Sequence, residues 1–215
     1  MPGKNYTKLM KKEVTNQWHE LLPCMEIEGN MSLMNILGPI VVGILLEIGS
    51  NKNMYYPTLY IHNLANNIGF VSTSLNITDN FNYVTTVSKP DKYMKIAEAL
   101  KNKAIVPIEG DIHINELLDR LKEAYSNLYH SDKICIIETV LYLAGWSGNE
   151  SIIKESVVFA NEKIKQLSTL TEEDKDKVFS KIFEEIKEPE KIRKTVEEQI
   201  IELKLDKLPR RSILL

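Results

Sequence analysis

Cysteine is almost absent from this sequence: only Cys24 and Cys135 occur, far apart along the chain. Two such thiols make no disulfide framework, and they lack the paired spacing that a zinc site requires. The first residues carry lysines but not the apolar core of a signal peptide. These features predict a cytoplasmic protein in a reducing compartment.

Arginine is scarce although lysine is abundant, and the formal net charge is only -3. The arginines are Arg120, Arg193, Arg210 and Arg211. Arginine is the residue that reads phosphate and guanine through paired hydrogen bonds, and a slightly acidic chain is not drawn to nucleic acid. We therefore expect no nucleic-acid partner. The alternative is an accessory factor that contacts nucleic acid or membrane through Lys4, Lys8, Lys11 and Lys12.

Motifs that carry common chemistries are also lacking. The nine glycines are scattered and form no phosphate-binding loop, and neither a Gly-x-Ser-x-Gly nor a His-Glu-x-x-His motif occurs. We predict no cofactor and no metal, and no catalytic residue can be assigned from a motif. An enzyme whose active site is assembled from distant residues stays open, because many such sites have no local signature.

A long hydrophobic run is missing too. The segment from Gly29 to Leu46 is uncharged, but the Gly38–Pro39 pair divides it into two pieces that are each too short to cross a bilayer. This division predicts a buried segment of a globular protein. We expect no membrane span.

What the first half contains is a series of extended runs. The run Ile40–Ile48 is rich in β-branched residues, and residues 55–64, 68–77 and 81–87 follow it after short, turn-rich loops. Short loops between neighbouring strands predict an antiparallel four-stranded meander. A helix from Ser32 to Ile48 is the alternative for the first run, although its glycines and Pro39 disfavour it. Residues 104–108 are a candidate fifth strand.

Helical periodicity surrounds and follows these strands. Residues 5–22 predict an amphipathic helix that Pro23 ends, and a second helix begins at Pro90. From residue 111 onward the chain predicts about five helices, with N-caps at Asn115, Ser131 and Thr171. The helix predicted to begin at Thr171 has acidic residues in its first turn. The final residues are expected to be loosely held.

The helix after Ser131 is apolar around nearly its whole circumference, which is typical of a helix in the middle of a bundle. The sequence therefore predicts an α+β protein: an N-terminal helix and a four-stranded antiparallel meander, packed with a mostly helical C-terminal half. This architecture divides the chain into an α/β part with the antiparallel sheet, residues 1–110, and a helical part, residues 111–215. Because no flexible linker separates the two parts, one continuous domain is the alternative.

One face of the predicted sheet carries Tyr56, Thr58, Tyr60 and His62, since alternate residues of a strand share a face. Tyrosine combines a large rigid surface with a polar group and is enriched at interfaces. These four residues are the predicted partner-binding site. The alternatives are an ordinary half-solvated sheet and a face that the helices cover.

A second cluster of candidate residues precedes the helical half. Glu109, Asp111 and His113 alternate along an extended segment and, with His62, could form an acid–base or metal site. A polar loop that leads into a helix explains the same pattern. Cys135 lies between two isoleucines on an apolar helix, which predicts an unreactive buried thiol.

The sequence thus leads to three functional hypotheses. The first is a non-enzymatic intracellular protein that binds another protein, of the bacterial or phage immunity, inhibitor or regulatory type. The second is an enzyme with a dispersed active site, with or without a metal. The third is the nucleic-acid or membrane accessory factor already described.

Overall fold

The chain places an antiparallel sheet in its first half and a group of helices in its second. This computed structural model describes residues 8–49, 54–67, 72–75, 84–85, 90–128, 130–168 and 170–215. The helices are α1 (Lys8–Leu21), α2 (Pro90–Lys103), α3 (Ile114–Ala124), α4 (His130–Ser147), α5 (Glu150–Lys165), α6 (Glu172–Glu185) and α7 (Pro189–Glu202). The strands are β1 (Glu26–Ile27), β2 (Ser32–Leu37), β3 (Ile40–Ile48), β4 (Met54–Asn63), β5 (Ser72–Leu75), β6 (Val84–Thr85), β7 (Ile112–His113), β8 (Arg210–Arg211) and β9 (Ile213–Leu214). The predicted α+β class is confirmed.

The sheet begins earlier than the sequence predicts. Its order is β1-β2-β3-β4-β5, all antiparallel, so two strands precede Ile40 and the helical alternative for 32–48 is wrong. Leu37 pairs with Ile40, which makes Gly38–Pro39 a two-residue hairpin loop. Gly38 has φ 54°, a conformation that glycine adopts at the first position of such loops. The pair that divides the apolar run is therefore a turn between two strands.

The later predicted strands are partly described. β5 and β6 fall inside the predicted runs 68–77 and 81–87, and the other residues of those runs lie largely outside the described part of the chain. Both strands pair antiparallel with β4, β5 near its C-terminal end and β6 at Met54 and Tyr55. Residues 104–108 form no strand.

One sheet face forms the core of the first half. Leu33, Ile44, Leu59 and Leu75 lie side by side across four strands, and each is at most 1% exposed. Directly opposed residues of an antiparallel sheet share a face, so this row is a continuous apolar stripe. The N-terminal helix is fixed to the sheet by Trp18, whose Nε1 donates to the Tyr55 hydroxyl at 3.0 Å.

Helix α4 is the centre of the helical half. It packs against α3, α5, α6 and α7, as its uniformly apolar circumference predicts. Gly145 lets α6 approach closely, because a Cβ there would come within 2.9 Å of the Ile186 Cα. The N-cap at Thr171 is confirmed as a capping box with Asp174. The N-cap at Asn115 is wrong, since α3 begins at Ile114 after His113.

The C-terminal residues are held rather than loose. β8 runs parallel to β2, and β9 runs parallel to β7, so the segment after α7 is paired on both sides of Ser212. Arg211 donates from its guanidinium to the Asn35 Oδ1 at 3.0 Å and to the Pro107 carbonyl oxygen at 2.7 Å. The expectation of loose final residues is wrong because hydropathy patterns do not reveal such short strand pairings.

Among the residues that the structure describes, no helix is both long enough and apolar enough to span a bilayer.

Candidate functional site

The register of β3 and β4 places the predicted partner-binding residues on one face. Tyr56, Thr58, Tyr60 and His62 lie opposite Glu47, Leu45, Gly43 and Val41 in that order. Tyr60 and His62 are 5% and 2% exposed, whereas Tyr56 and Thr58 are half-buried. The face therefore divides into a covered end and an open end.

Tyr60 belongs to the covered end. Its ring lies against Gly43, where a Cβ would overlap the ring carbons, and its hydroxyl lies 3.3 Å from the Ser32 Oγ. Burial raises the pKa of the Tyr60 hydroxyl to about 12, although the Ser32 hydrogen bond opposes the shift. The Tyr60 side chain thus occupies the space beside Gly43 on the sheet face, and it is too buried to contact a partner.

We call Leu45, Glu47, Tyr56 and Thr58 the outer sheet face. They form two directly opposed pairs, Leu45 with Thr58 and Glu47 with Tyr56. Leu45 is 40% exposed while its chain neighbours Ile44 and Leu46 are buried, so the strand alternates normally and Leu45 points away from the core. An exposed leucine beside a tyrosine and a threonine is an apolar surface with polar groups at its edge.

The residues Glu109, Asp111 and His113 have different surroundings in the structure. The Glu109 carboxylate forms an ion pair with Lys101 at 3.2 Å, and the Asp111 Oδ1 accepts from the Ser212 backbone N–H at 2.9 Å. His113 is exposed in β7. His62 lines a pocket elsewhere. Among the described residues, no three His, Cys, Asp or Glu side chains are grouped to hold a metal.

The structure describes only some of the lysines that were proposed to contact nucleic acid or membrane. Lys4 lies outside the described residues, as does the side chain of Lys8. Lys11 is half-buried on α1 and Lys12 is exposed. The described part of the helix thus offers little of the predicted basic surface.

A polar pocket between the sheet and α4 was not predicted from the sequence. We call it the α4 pocket, and it is lined by Ile61, His62, Asn63, Asn66, Thr73, Cys135, Glu138 and Thr139. Its cavity has a volume of about 20 Å³, enough for about one water molecule. The pocket concentrates side chains that can accept or donate protons in a largely buried place.

Glu138 is the most perturbed acid of the α4 pocket. Burial raises the pKa of its carboxyl group to about 7, and a hydrogen bond from the Asn66 Nδ2 to the Glu138 Oε2, 3.0 Å long, opposes the shift only partly. A carboxyl group that titrates near neutrality can act as either a proton donor or a proton acceptor. Strongly perturbed acids in pockets are candidates for functional groups.

Cys135 is half-buried at the same pocket. Burial raises the pKa of its thiol, and a hydrogen bond with Thr73 opposes the shift. A thiol with a raised pKa is protonated at neutral pH, and only the thiolate is a strong nucleophile. The α4 pocket therefore offers proton transfer at Glu138 rather than covalent catalysis at Cys135.

The distance along the chain explains why this pocket was missed. Asn66 and Glu138 are 72 residues apart, and no local pattern connects them. The available signal was Glu138 itself, since it is an acid in a helix with apolar residues on every side, and a buried acid needs a polar partner.

Comparison with known proteins finds no match to a protein-family model, to a curated protein or to a solved structure.

Proposed function

We propose that this protein is a non-enzymatic module that binds another protein through its outer sheet face. In this proposal it acts in the cytoplasm as an immunity, inhibitor or regulatory protein of bacterial or phage type, and it masks a surface of its partner. The observation that carries the proposal is the exposure of Leu45 on a face whose other residues are half-buried.

The chemistry of the outer sheet face suits burial against a protein. Leu45 and the ring of Tyr56 supply apolar area, and the Thr58 hydroxyl supplies a polar group that can remain hydrogen-bonded at an interface. Its one charged member is Glu47, at the end of β3. Few charges need to lose water when such a face is covered, so the desolvation cost of binding is small.

The proposal is tested by affinity purification of the tagged protein from its native host at native expression, followed by mass spectrometry. We expect one stoichiometric partner. Leu45→Lys should reduce its recovery at least tenfold, because a charge would be buried at the centre of the contact. Val158→Lys is the matched control, since Val158 on α5 is 63% exposed and lies outside the sheet. Equal recovery with both variants would contradict the assignment of the face.

The α4 pocket favours a second candidate, the enzyme with a dispersed active site. Glu138 has a pKa of about 7, which matches a general acid or base at neutral pH. The cavity admits about one water molecule, so a substrate would require the pocket to open. If a turnover activity is found, this candidate predicts that Glu138→Gln abolishes it and that Glu109→Gln, a change at an ion pair, does not.

A further inference from the structure

Glu138 lies where three parts of the molecule meet. It belongs to α4, its carboxylate accepts from Asn66 in the turn after β4, and the same pocket is lined by Thr73 of β5. The α4 pocket is therefore a joint between the sheet and the helical half. A change at Glu138 acts on the contact between these two parts.

The turn of residues 64–67 connects this joint to further elements. The Leu64 backbone N–H donates to the Pro39 carbonyl oxygen at 2.9 Å, which ties the turn to the β2–β3 hairpin. The Asn67 Oδ1 accepts from the Gln199 Nε2 of α7 at 2.8 Å. Asn66 to Glu138 is the contact between this turn and α4, so the turn holds the hairpin, α4 and α7 together.

We propose that ionisation of Glu138 draws water into the α4 pocket and widens it, so that pH controls the contact between the sheet and the helical half. Protonated, the carboxyl group is neutral and fits a small cavity. Ionised, it can accept several hydrogen bonds, and the Asn66 amide donates one of them. The cavity admits about one water molecule, so more water can enter only if the pocket widens.

Among the described residues that line the α4 pocket, none carries a permanent positive charge beside the carboxylate. The described lining of the α4 pocket contains neither lysine nor arginine, and its other titratable groups are His62 from β4 and Cys135 from α4 itself. One helical turn further on, Tyr142 donates to the Glu185 Oε2 of α6 at 2.6 Å. On α7, Glu202 accepts from Gln199. Glu185 and Glu202 are acids, so neither supplies a positive charge to the α4 pocket.

The sign of the pH dependence follows from the direction of the shift. The pKa of Glu138 rises from an ordinary value of 4.5 to about 7 in the folded protein, so the folded state holds the proton more tightly than the unfolded state. Stability is therefore greatest below pH 4.5 as far as Glu138 is concerned. It falls as the pH rises through 7 and is constant above that range.

The first test compares thermal unfolding between pH 5.5 and 8.5. Relative to the wild type, Glu138→Gln should gain about 4–8 °C in Tm over this pH range, because the amide cannot ionise. Glu123→Gln removes the same charge from an exposed position on α3 and should show no such gain. Parallel pH profiles for the wild type and Glu138→Gln would overturn the proposal.

His62 is the matched control inside the pocket, because imidazole ordinarily titrates in the same pH range. If His62→Gln removes the pH dependence while Glu138→Gln retains it, the proton resides on the histidine and the proposal is wrong. We expect the reverse. This pair of variants also keeps the test valid should one of them be poorly folded.

The second test observes the turn directly, in the wild-type protein. Hydrogen exchange at the Leu64 and Ala65 amides, corrected for the intrinsic pH effect, should speed up at least fivefold between pH 6 and pH 8. Both amides are hydrogen-bonded, Leu64 to Pro39 and Ala65 to the Asn63 side chain. Exchange that follows only the intrinsic pH effect would show that the turn stays in place, and this would refute the proposed coupling.

Discussion

The two ends of strand β4 differ although they carry the same kind of residue. At one end, Tyr56 and Thr58 are half-buried and lie beside the exposed Leu45; at the other, Tyr60 and His62 are almost completely covered. All four are on one face by the register of the sheet. What separates the ends is the packing of the rest of the chain, which covers the second end and leaves the first accessible.

This difference shows what the alternation of side chains along a strand can predict and what it cannot. A period of two tells which residues share a face, but it does not tell what lies above that face at each position. Gly43 marks the change, because the Tyr60 ring occupies the space that a side chain would fill there. The functional argument for a tyrosine surface therefore holds only for the outer sheet face.

The largest effect is expected where the covered end of the sheet meets the C-terminal segment. Arg211 donates to Asn35, to Pro107 and to the Gly110 carbonyl oxygen, and Arg211→Ala leaves these acceptors without their donor. We expect a loss of about 3 kcal/mol in the free energy of unfolding, measured by urea denaturation. Burial also lowers the pKa of Arg211 to about 10, which still leaves it charged at pH 7.

Arg210→Ala is the matched control for Arg211. Arg210 is the adjacent residue, but it is exposed and its partner is the exposed Glu197 at 2.9 Å. Exposed ion pairs contribute little, so the loss should stay below about 1 kcal/mol. Similar losses for both arginines would remove the distinction between a covered and an open part of this region.

The second-largest loss of stability is expected at Gly43, the glycine beneath the Tyr60 ring. Gly43→Ala places a methyl group against a buried ring, and overpacking of this kind costs about 1–3 kcal/mol. Leu45→Thr, two residues along the same strand, changes an exposed position and should alter stability by less than about 0.5 kcal/mol. Chemical denaturation of the two variants measures the contrast, and a tolerated Gly43→Ala would show that the Tyr60 ring is free to move.

The smallest change in the free energy of unfolding is expected when one hydroxyl is removed at each end of β4. Tyr60→Phe removes the contact with the Ser32 Oγ and should cost about 1 kcal/mol. Thr58→Val keeps a β-branched side chain at a half-buried position and should change the stability by less than about 0.5 kcal/mol. A double-mutant cycle with Ser32→Ala isolates the hydroxyl contact, and strict additivity would argue that it contributes nothing.

Local patterns predicted the helices well and the start of the sheet poorly. The capping residue Thr171 and the apolar circumference of α4 are properties of adjacent residues, and both predictions are confirmed. Strand β2 was not predicted because all of its side chains are buried, so it shows no alternation between apolar and polar positions. The N-cap of α3 was misplaced because Ile114 begins the helix without a side-chain cap.

The candidate sites depended on contacts that no local pattern encodes. Glu109 and Asp111 were singled out for their spacing along one segment, but their partners Lys101 and Ser212 come from other elements. Glu138 was not noticed at all, since the amide that contacts it is 72 residues away. The division at residue 110 stays a prediction, although Asn35 to Arg211 and Asn67 to Gln199 are direct contacts across it.

The parallel pairing of β8 with β2 has a consequence for how the protein folds. The contact between Arg211 and Asn35 joins positions 176 residues apart. Ile36 and Leu37 pair with β3 on one side, and on the other side they pair with Arg210 and Arg211 across a similarly long stretch of chain. The entropy lost in closing so long a loop must be offset by structure that already exists, so this pairing forms after the hairpin and the helices have assembled. During that interval part of the edge of β2 is open, and an unpaired strand edge is where two unfinished chains can associate. The yield of refolding should therefore fall with protein concentration more steeply when Arg211 is replaced.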